Sequence, residues 1–206
     1  MNAQGELGAE LSYNRSIAPG LPAGGSLLMA VMRVASLLRW GEAHMKSLLI
    51  LRHGEAAAST AGMCDEQRPL TEHGESQAHA LGRWLLQHGF NPGSIVCSAA
   101  VRARQTAELV AAAAHWHAPV TALETLYNAS GEALIAHVRA QAATVSQLLV
   151  VAHAPGVTDA VRLTCAKRAD VTLVYEPATL AEIVLDIEQW SALAHGIGAL
   201  RLLLPA

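Results

Sequence analysis

From Lys46 onward, short apolar runs alternate with longer segments whose polar residues recur at helical spacing. Ser47-Leu48-Leu49-Ile50-Leu51 is continuously apolar after its first residue, as in a strand buried on both faces. Thr71 to Gln87 reads as a helix, with Thr71 able to cap it and Gly89 and Pro92 just beyond its end. Ser94 to Ser98 is a second strand, and the Ala-rich stretch Val101 to Ala114, free of Gly and Pro, is a second helix. Val120 to Leu123 follows as a strand, Ser130 to Ala143 as a helix capped by Ser130, and Gln147 to Ala152 as a strand as apolar as the first. Pro155 opens a further helix at its first position. Leu180 to Ile187 and Ala199 to Leu204 are late strands. Strands alternating with helices imply parallel pairing through right-handed crossovers, so the expected fold class is α/β.

The first 44 residues break this pattern. They are rich in Gly, Ala, Ser and Leu without a clean period, and Met29, Met32 and Met45 are all candidate starts. Residues 1–44 are therefore expected to be a poorly ordered extension or a start assigned too far upstream, with 45–206 as the working domain. The competing reading is a membrane-surface or partner-binding helix around Leu27 to Leu38. Ser26 to Trp40 is interrupted by Arg33 and Arg39 and is too short to span a bilayer. Glu6 and Glu10 stand upstream of it, where a signal peptide carries positive charge.

Composition narrows the class. Of 206 residues, 52% are apolar and 15% charged, which is enough for a real core and excludes a disordered chain. A net charge of -3 with no dense basic block excludes an electrostatic nucleic-acid binder. Cys64, Cys97 and Cys165 are far apart and form no CxxC pair, against a zinc site or a disulfide framework and in keeping with a reducing cytosol. Cys97, inside an apolar run, reads as a small core residue.

Three strands run into candidate chemistry at their carboxyl ends. The first ends in Arg52-His53-Gly54-Glu55, the second in Ser98-Ala99-Ala100-Val101-Arg102, and the fourth in His153-Ala154-Pro155-Gly156. In an open parallel sheet the ligand crevice lies beyond the carboxyl ends of the strands, so two arginines and two histidines converge there. Arginine's planar fork matches phosphate oxygens, and histidine is a nucleophile when neutral and a donor when protonated. Singly, each is more often a satisfied or solvated polar residue than a catalyst; in concert they point to phosphoryl chemistry.

Leu51-Arg52-His53-Gly54-Glu55 resembles the signature of the histidine phosphatase (phosphoglycerate mutase-like) superfamily, and the remainder is similar to its phosphohistidine phosphatase SixA-like branch. The supporting segments are Arg68-Pro69-Leu70-Thr71 with Gly74, then Ser98 through Glu108 with its Arg102-x-x-Gln105-Thr106, then Val150 through Pro155. The resemblance runs from Met45 to the C-terminus, including Trp190 and the closing strand. It implies a three-layer αβα fold around a mostly parallel central sheet. It also implies His53 as a nucleophile that becomes phosphohistidine, with Arg52, Arg102 and His153 binding the phosphoryl oxygens. No cofactor and no metal is needed, since four donor or positive groups supply the stabilisation. Arginines near His53 should depress its pKa and favour the attacking form. Gly54 either lets the backbone approach the phosphate or adopts a conformation closed to other residues.

The proton donor is open at this point: Glu124 stands where ester-cleaving relatives carry an acid, and is equally well a solvated strand-end carboxylate. The Gly-rich acidic stretch of the mutases is missing, as in SixA-like proteins, which suits a phosphoramidate whose leaving imidazole needs less acid help. Ala99 and Ala154 depart from the family's usual proline and asparagine. Arg104 is read as a surface residue, and Arg68 as lining the pocket mouth or anchoring the loop. His73, His79, His88, His115, His117, His137 and His195 match no motif position and are read as surface or structural.

The expected protein is thus a cytoplasmic, monomeric phosphatase acting on phosphohistidine in a protein partner, without nucleic-acid or membrane partners. The alternative is hydrolysis of a small phosphorylated metabolite, a phosphate monoester; a non-catalytic phosphate-binding module ranks lower.

Overall fold

The computed structural model describes residues 45–165 and 175–205. The expected extension over residues 1–44, including the candidate helix around Leu27 to Leu38, lies outside the described residues. Six strands, β1 (Met45–Arg52), β2 (Ser94–Ser98), β3 (Val120–Leu123), β4 (Gln147–Ala152), β5 (Leu180–Asp186) and β6 (Ala199–Leu204), form one sheet in the order β3-β2-β4-β1-β5-β6. β1, β4, β2 and β3 pair in parallel. β5 runs antiparallel to β1, and β6 antiparallel to β5. The sheet is therefore mostly parallel, with β5 as the reversed strand.

Alternation along the strands sorts the core into two faces. Leu49 and Leu51 of β1, Ile95 and Cys97 of β2, and Leu149 and Val151 of β4 pack with Ala78, Leu81, Leu85, Ala103, Ala107 and Val110. Those residues belong to α1 (Glu72–Gln87) and α2 (Val101–Ala113). Leu48, Ile50, Val96, Leu148 and Val150 face the other way, against Leu134, Ile135, Val138, Val157, Ala160 and Val161. These come from α3 (Gly131–Arg139) and α4 (Gly156–Thr164). Both faces of the central strands are covered, which is why their sequences are continuously apolar. The result is the αβα sandwich.

The helix ends follow the sequence with two exceptions. Thr71 caps α1, its hydroxyl accepting from the Gly74 N–H at 3.0 Å, and Ser130 caps α3 through the Ala133 N–H at 3.3 Å. Gly89 follows α1 with φ +75°, the left-handed conformation that suits glycine after a helix. The first exception is α3, which stops at Arg139 and not at Ala143. Beyond it, the Ala143 and Val145 carbonyls turn to the buried Lys46 ammonium, and Val145 also accepts from Trp190 Nε1. The second is Pro155, which precedes α4 as its cap residue at φ −83°, ψ −11°, so that Gly156 is the first helical residue.

Among the described residues, no helix is long and apolar enough to cross a membrane. Cys97 is fully buried, and burial pushes its thiol up to about 11, in keeping with a core role.

Candidate active site

β2, β4 and β1 are adjacent and parallel, so their carboxyl ends share one edge of the sheet. Arg52 and His53 end β1, Ser98 ends β2, Arg102 lies in the first turn of α2, and His153 follows β4. The expected convergence of two arginines and two histidines is partly visible as direct contact. The His53 and His153 rings are 5.0 Å apart, edge to face, and Arg102 Nε donates to His53 Nε2 at 3.3 Å. His53, Arg102 and His153 are all buried.

The reversed strand completes the edge. The chain entering β5 arrives at the carboxyl ends of β1 and β4, and its backbone fixes the catalytic candidates on β1. Arg52 N–H donates to Thr179 O at 3.1 Å, Ala178 N–H donates to His53 O at 3.0 Å, and Arg52 Nη1 donates to Tyr175 O.

The tautomer of His53 follows from its partners. Nδ1 lies 2.7 Å from Gly54 O, and a carbonyl only accepts, so Nδ1 carries the proton. Nε2 then presents its lone pair to the site and accepts from Arg102. Burial first, then the charges of Arg102, Arg52 and Arg68, lower the imidazole to about 4, with the Gly54 contact opposing. His153 falls to about 3, mainly through burial and then through His53 and Arg102. Both rings are neutral at pH 7. Burial also lowers the pKa of Arg52, with Glu176 opposing.

Four buried polar atoms have no partner among the described residues, the Thr164 and Thr179 hydroxyls and, at the site, Arg52 Nε and His153 Nδ1. Elsewhere His153 is held, its Nε2 2.8 Å from Ser98 Oγ. That hydroxyl also accepts from the Ala100 N–H at 3.3 Å, which leaves its own proton available to Nε2.

Gly54 is explained by packing. Its φ is not positive, so conformational freedom is not the reason. A Cβ on Gly54 would lie 2.8 Å from Gly74 O, and one on Gly74 would lie 2.1 Å from Glu55 O. The strand end and the first turn of α1 thus touch backbone to backbone. Thr106 ties the same point to α2: its hydroxyl accepts from Gly54 N–H at 3.0 Å and donates to Arg102 O at 2.7 Å. Gln105 Oε1 accepts from Leu70 N–H at 2.9 Å, so the Arg102-x-x-Gln105-Thr106 motif links three segments around the site.

Arg68 anchors the loop before α1, its Nε donating to Ala57 O at 2.7 Å and its Nη1 pairing with Asp65 at 2.7 Å. Glu124 is exposed, and among the described residues nothing pairs with its carboxylate. It shares a short 3-10 turn, Glu124–Leu126, with the approach to Tyr127, whose ring stands edge-on to His153 at 5.6 Å. Arg104 is half exposed on α2. His88 stacks on Trp84, His137 meets Thr125, and His195 pairs with Glu132, all outside the site.

Asp65 and Tyr127 were not singled out by the sequence. Asp65 lies in an unpatterned loop, and only its position three residues before Arg68 hints at a pairing. Tyr127 carries no motif signal. Asp65 O and Oδ2 accept from Arg102, and Oδ2 also accepts from Tyr127 Oη at 2.8 Å. Hydrogen bonding from Arg68, then Tyr127 and Arg102, holds the Asp65 carboxyl far below the usual carboxylate range. Among the described residues, no cluster of three or more His, Cys, Asp or Glu side chains is arranged to hold a metal ion.

Residues 48–144 match the model of the histidine phosphatase superfamily, branch 1. A 107-residue stretch is 35% identical to an uncharacterized protein of Mycobacterium tuberculosis, covering 51% of this chain and 63% of that one. The chain thus spans under two thirds of that relative's length. Among solved structures, the fold is similar to a candidate phosphohistidine phosphatase SixA from Nakamurella multipartitia, with 27% identity over 78% of this chain and 95% of that one, at a TM-score of 0.66. It also matches the fold of a protein histidine phosphatase SixA complexed with tungstate, at 24% identity over 77% and 96% and a TM-score of 0.65.

Proposed function

We propose, from the match of residues 48–144 to the histidine phosphatase superfamily, that the chain is a metal-independent phosphatase with His53 as its nucleophile. The observation that carries this reading is the pair of unpartnered buried donors, Arg52 Nε and His153 Nδ1, beside a neutral imidazole whose Nε2 lone pair faces the site. Buried donors are ordinarily satisfied, and of the four exceptions the two nitrogens flank one nucleophile, where they suit the oxygens of a phosphoryl group.

The chemistry is then a double displacement. His53 Nε2 forms a bond to phosphorus as the bond to the leaving group breaks. Arg52, Arg102 and His153 donate to the three phosphoryl oxygens, where charge accumulates. The Ser98 hydroxyl donates to His153 Nε2, which keeps the His153 proton on Nδ1 and aimed at phosphate. Water then attacks phosphorus, the N–P bond breaks, inorganic phosphate leaves, and His53 regains its lone pair while the water proton passes to solvent.

Phosphohistidine in a protein is the substrate class we favour. The leaving imidazole nitrogen needs little acid help, and the likeness to the solved SixA-type structure from N. multipartitia, at 27% identity, supports it. No nucleic-acid or membrane partner is invoked, and the protein works as a monomer in the cytoplasm. The competing substrate is a small phosphate monoester. One observation favours it: the turn bearing Glu124 leads directly into Tyr127 at the edge of the site.

Rates on a phosphohistidine peptide and on phosphate monoesters decide between the two. His53→Ala should lose activity on both by at least about 1000-fold and form no acid-labile phosphoenzyme; full activity in that variant ends the mechanism. Glu124→Gln should leave phosphohistidine hydrolysis intact, and a strong loss confined to esters would instead identify it as the acid.

A further inference from the structure

The loop between β1 and α1 returns to the site at Asp65. The main-chain oxygen of this residue accepts from Arg102 Nη1 at 2.6 Å, and its Oδ2 accepts from Arg102 Nη2 at 2.8 Å. Both outer nitrogens of Arg102 are therefore engaged, while Nε remains directed at His53 Nε2. Asp65 is itself held: Arg68 Nη1 donates to Oδ1 at 2.7 Å, and Tyr127 Oη donates to Oδ2 at 2.8 Å. Arg68 is pinned in turn to Ala57 O.

A carboxylate this close to a phosphate-binding arginine has two readings. It competes for the anion site, or it aims the arginine. Its partners separate them. Among the described residues the Asp65 carboxylate accepts from Arg68, Arg102 and Tyr127; it does not satisfy Arg52 Nε or His153 Nδ1, which stay unpaired. An anion seated in the phosphoryl pocket would take those donors. Asp65 instead binds the two outer nitrogens of Arg102 and leaves Nε to His53.

We propose that Asp65 is a positioning residue for the phosphoryl transfer described above: by holding both outer nitrogens of Arg102, it presents the Nε edge to an oxygen of the phosphoryl group being transferred to His53. The proposal rests on that phosphatase reading. An arginine side chain has much rotamer freedom to lose, and fixing it before substrate arrives removes that cost from the reaction. Misplacing a transition-state contact by about 1 Å costs on the order of 100-fold in rate. Tyr127 extends the device, because its hydroxyl holds Asp65 while its ring edge rests on His153. One tyrosine thereby joins the supports of two phosphate-binding groups.

The test uses the full chain as wild type, Asp65→Ala, Asp65→Asn and Tyr127→Phe, with kinetics on a phosphohistidine peptide and calorimetric titration of inorganic phosphate. Asp65→Ala should lower kcat about 10- to 100-fold and weaken phosphate binding several-fold. Asp65→Asn and Tyr127→Phe should show smaller losses in the same direction. A purely structural role would lower Tm and the active fraction but leave the phosphate Kd of the folded protein unchanged. Asp65→Ala with kcat within about twofold of wild type, or with tighter phosphate binding, overturns the proposal. If Asp65→Ala does not fold, the other two variants decide by the same criteria. A wild type that binds phosphate but hydrolyses no substrate would remove the phosphatase reading, and the Kd comparison would still test how Asp65 sets Arg102.

Discussion

The Ser98 hydroxyl lies 2.8 Å from His153 Nε2 and accepts from the Ala100 N–H, so one oxygen joins the end of β2 to the ring that follows β4. In Ser98→Ala, two buried polar groups lose their partner, at a cost of about 1–3 kcal/mol. We expect a lower Tm and a loss of at least about tenfold in kcat/KM, as the His153 proton is no longer confined to Nδ1. Imidazole nitrogen chemical shifts check the cause directly. A wild-type His153 with its proton on Nε2 would rule this role out.

Acid should affect stability before it affects folding elsewhere. His53 and His153 have folded pKa values near 4 and 3, against 6.5 for the unfolded side chain. Below pH 6.5 the unfolded chain binds more protons than the folded one, so stability falls as pH falls. The contribution is complete above about 6.5 and is lost through the window down to the folded values, by up to about 1.4 kcal/mol per pH unit for each ring. Thermal melts between about pH 7 and pH 5 should therefore decline, and His153→Asn, which cannot take the proton, should flatten the decline. Ring proton resonances of both histidines should stay fixed over the same range. Titration of either ring near pH 6.5 contradicts the expectation.

Gly74→Ala separates local propensity from packing. In an isolated helix the change would stabilise by about 1 kcal/mol. Here the new Cβ would meet Glu55 O at 2.1 Å, backbone against backbone. A net loss of at least about 1–3 kcal/mol is expected, seen as a lower denaturant midpoint, together with reduced kcat/KM as the Arg52-to-Glu55 turn shifts. Gly93→Ala is the control, since its Cβ meets only Val145 Cγ1 at 4.0 Å. Equal midpoints for wild type and Gly74→Ala would refute the close approach.

The strands were legible because the central ones are covered on both faces. β2, β3 and β4 have the bounds that their apolar runs imply, and four site residues stood out because each follows such a run. Direction was less legible. An apolar run such as Leu180 to Asp186 has the same pattern whichever way it points, so the reversal of β5 and its backbone hold on Arg52 and His53 emerged only from the pairing. Asp65 was invisible for a related reason. Its contacts to Arg102 and Tyr127 reach across 37 and 62 residues, and no local period encodes a partner at that range. The sequence leaves Arg68 between two roles because its anchor at Ala57 is a main-chain oxygen, which any residue supplies equally. The early end of α3 likewise depends on Lys46, at the far end of the domain.

The position of β1 in the sheet has a kinetic meaning. It is made first, yet its neighbours are β4 and β5, and Ser47 waits 100 residues for its contact with Gln147. Ordering so many links before any cross-strand contact forms makes for slow, high-contact-order folding. During synthesis, the bare apolar run Leu48 to Leu51 leaves the ribosome long before either edge of that strand can be covered. The step that assembles the site is therefore also the one that removes this apolar run from solution.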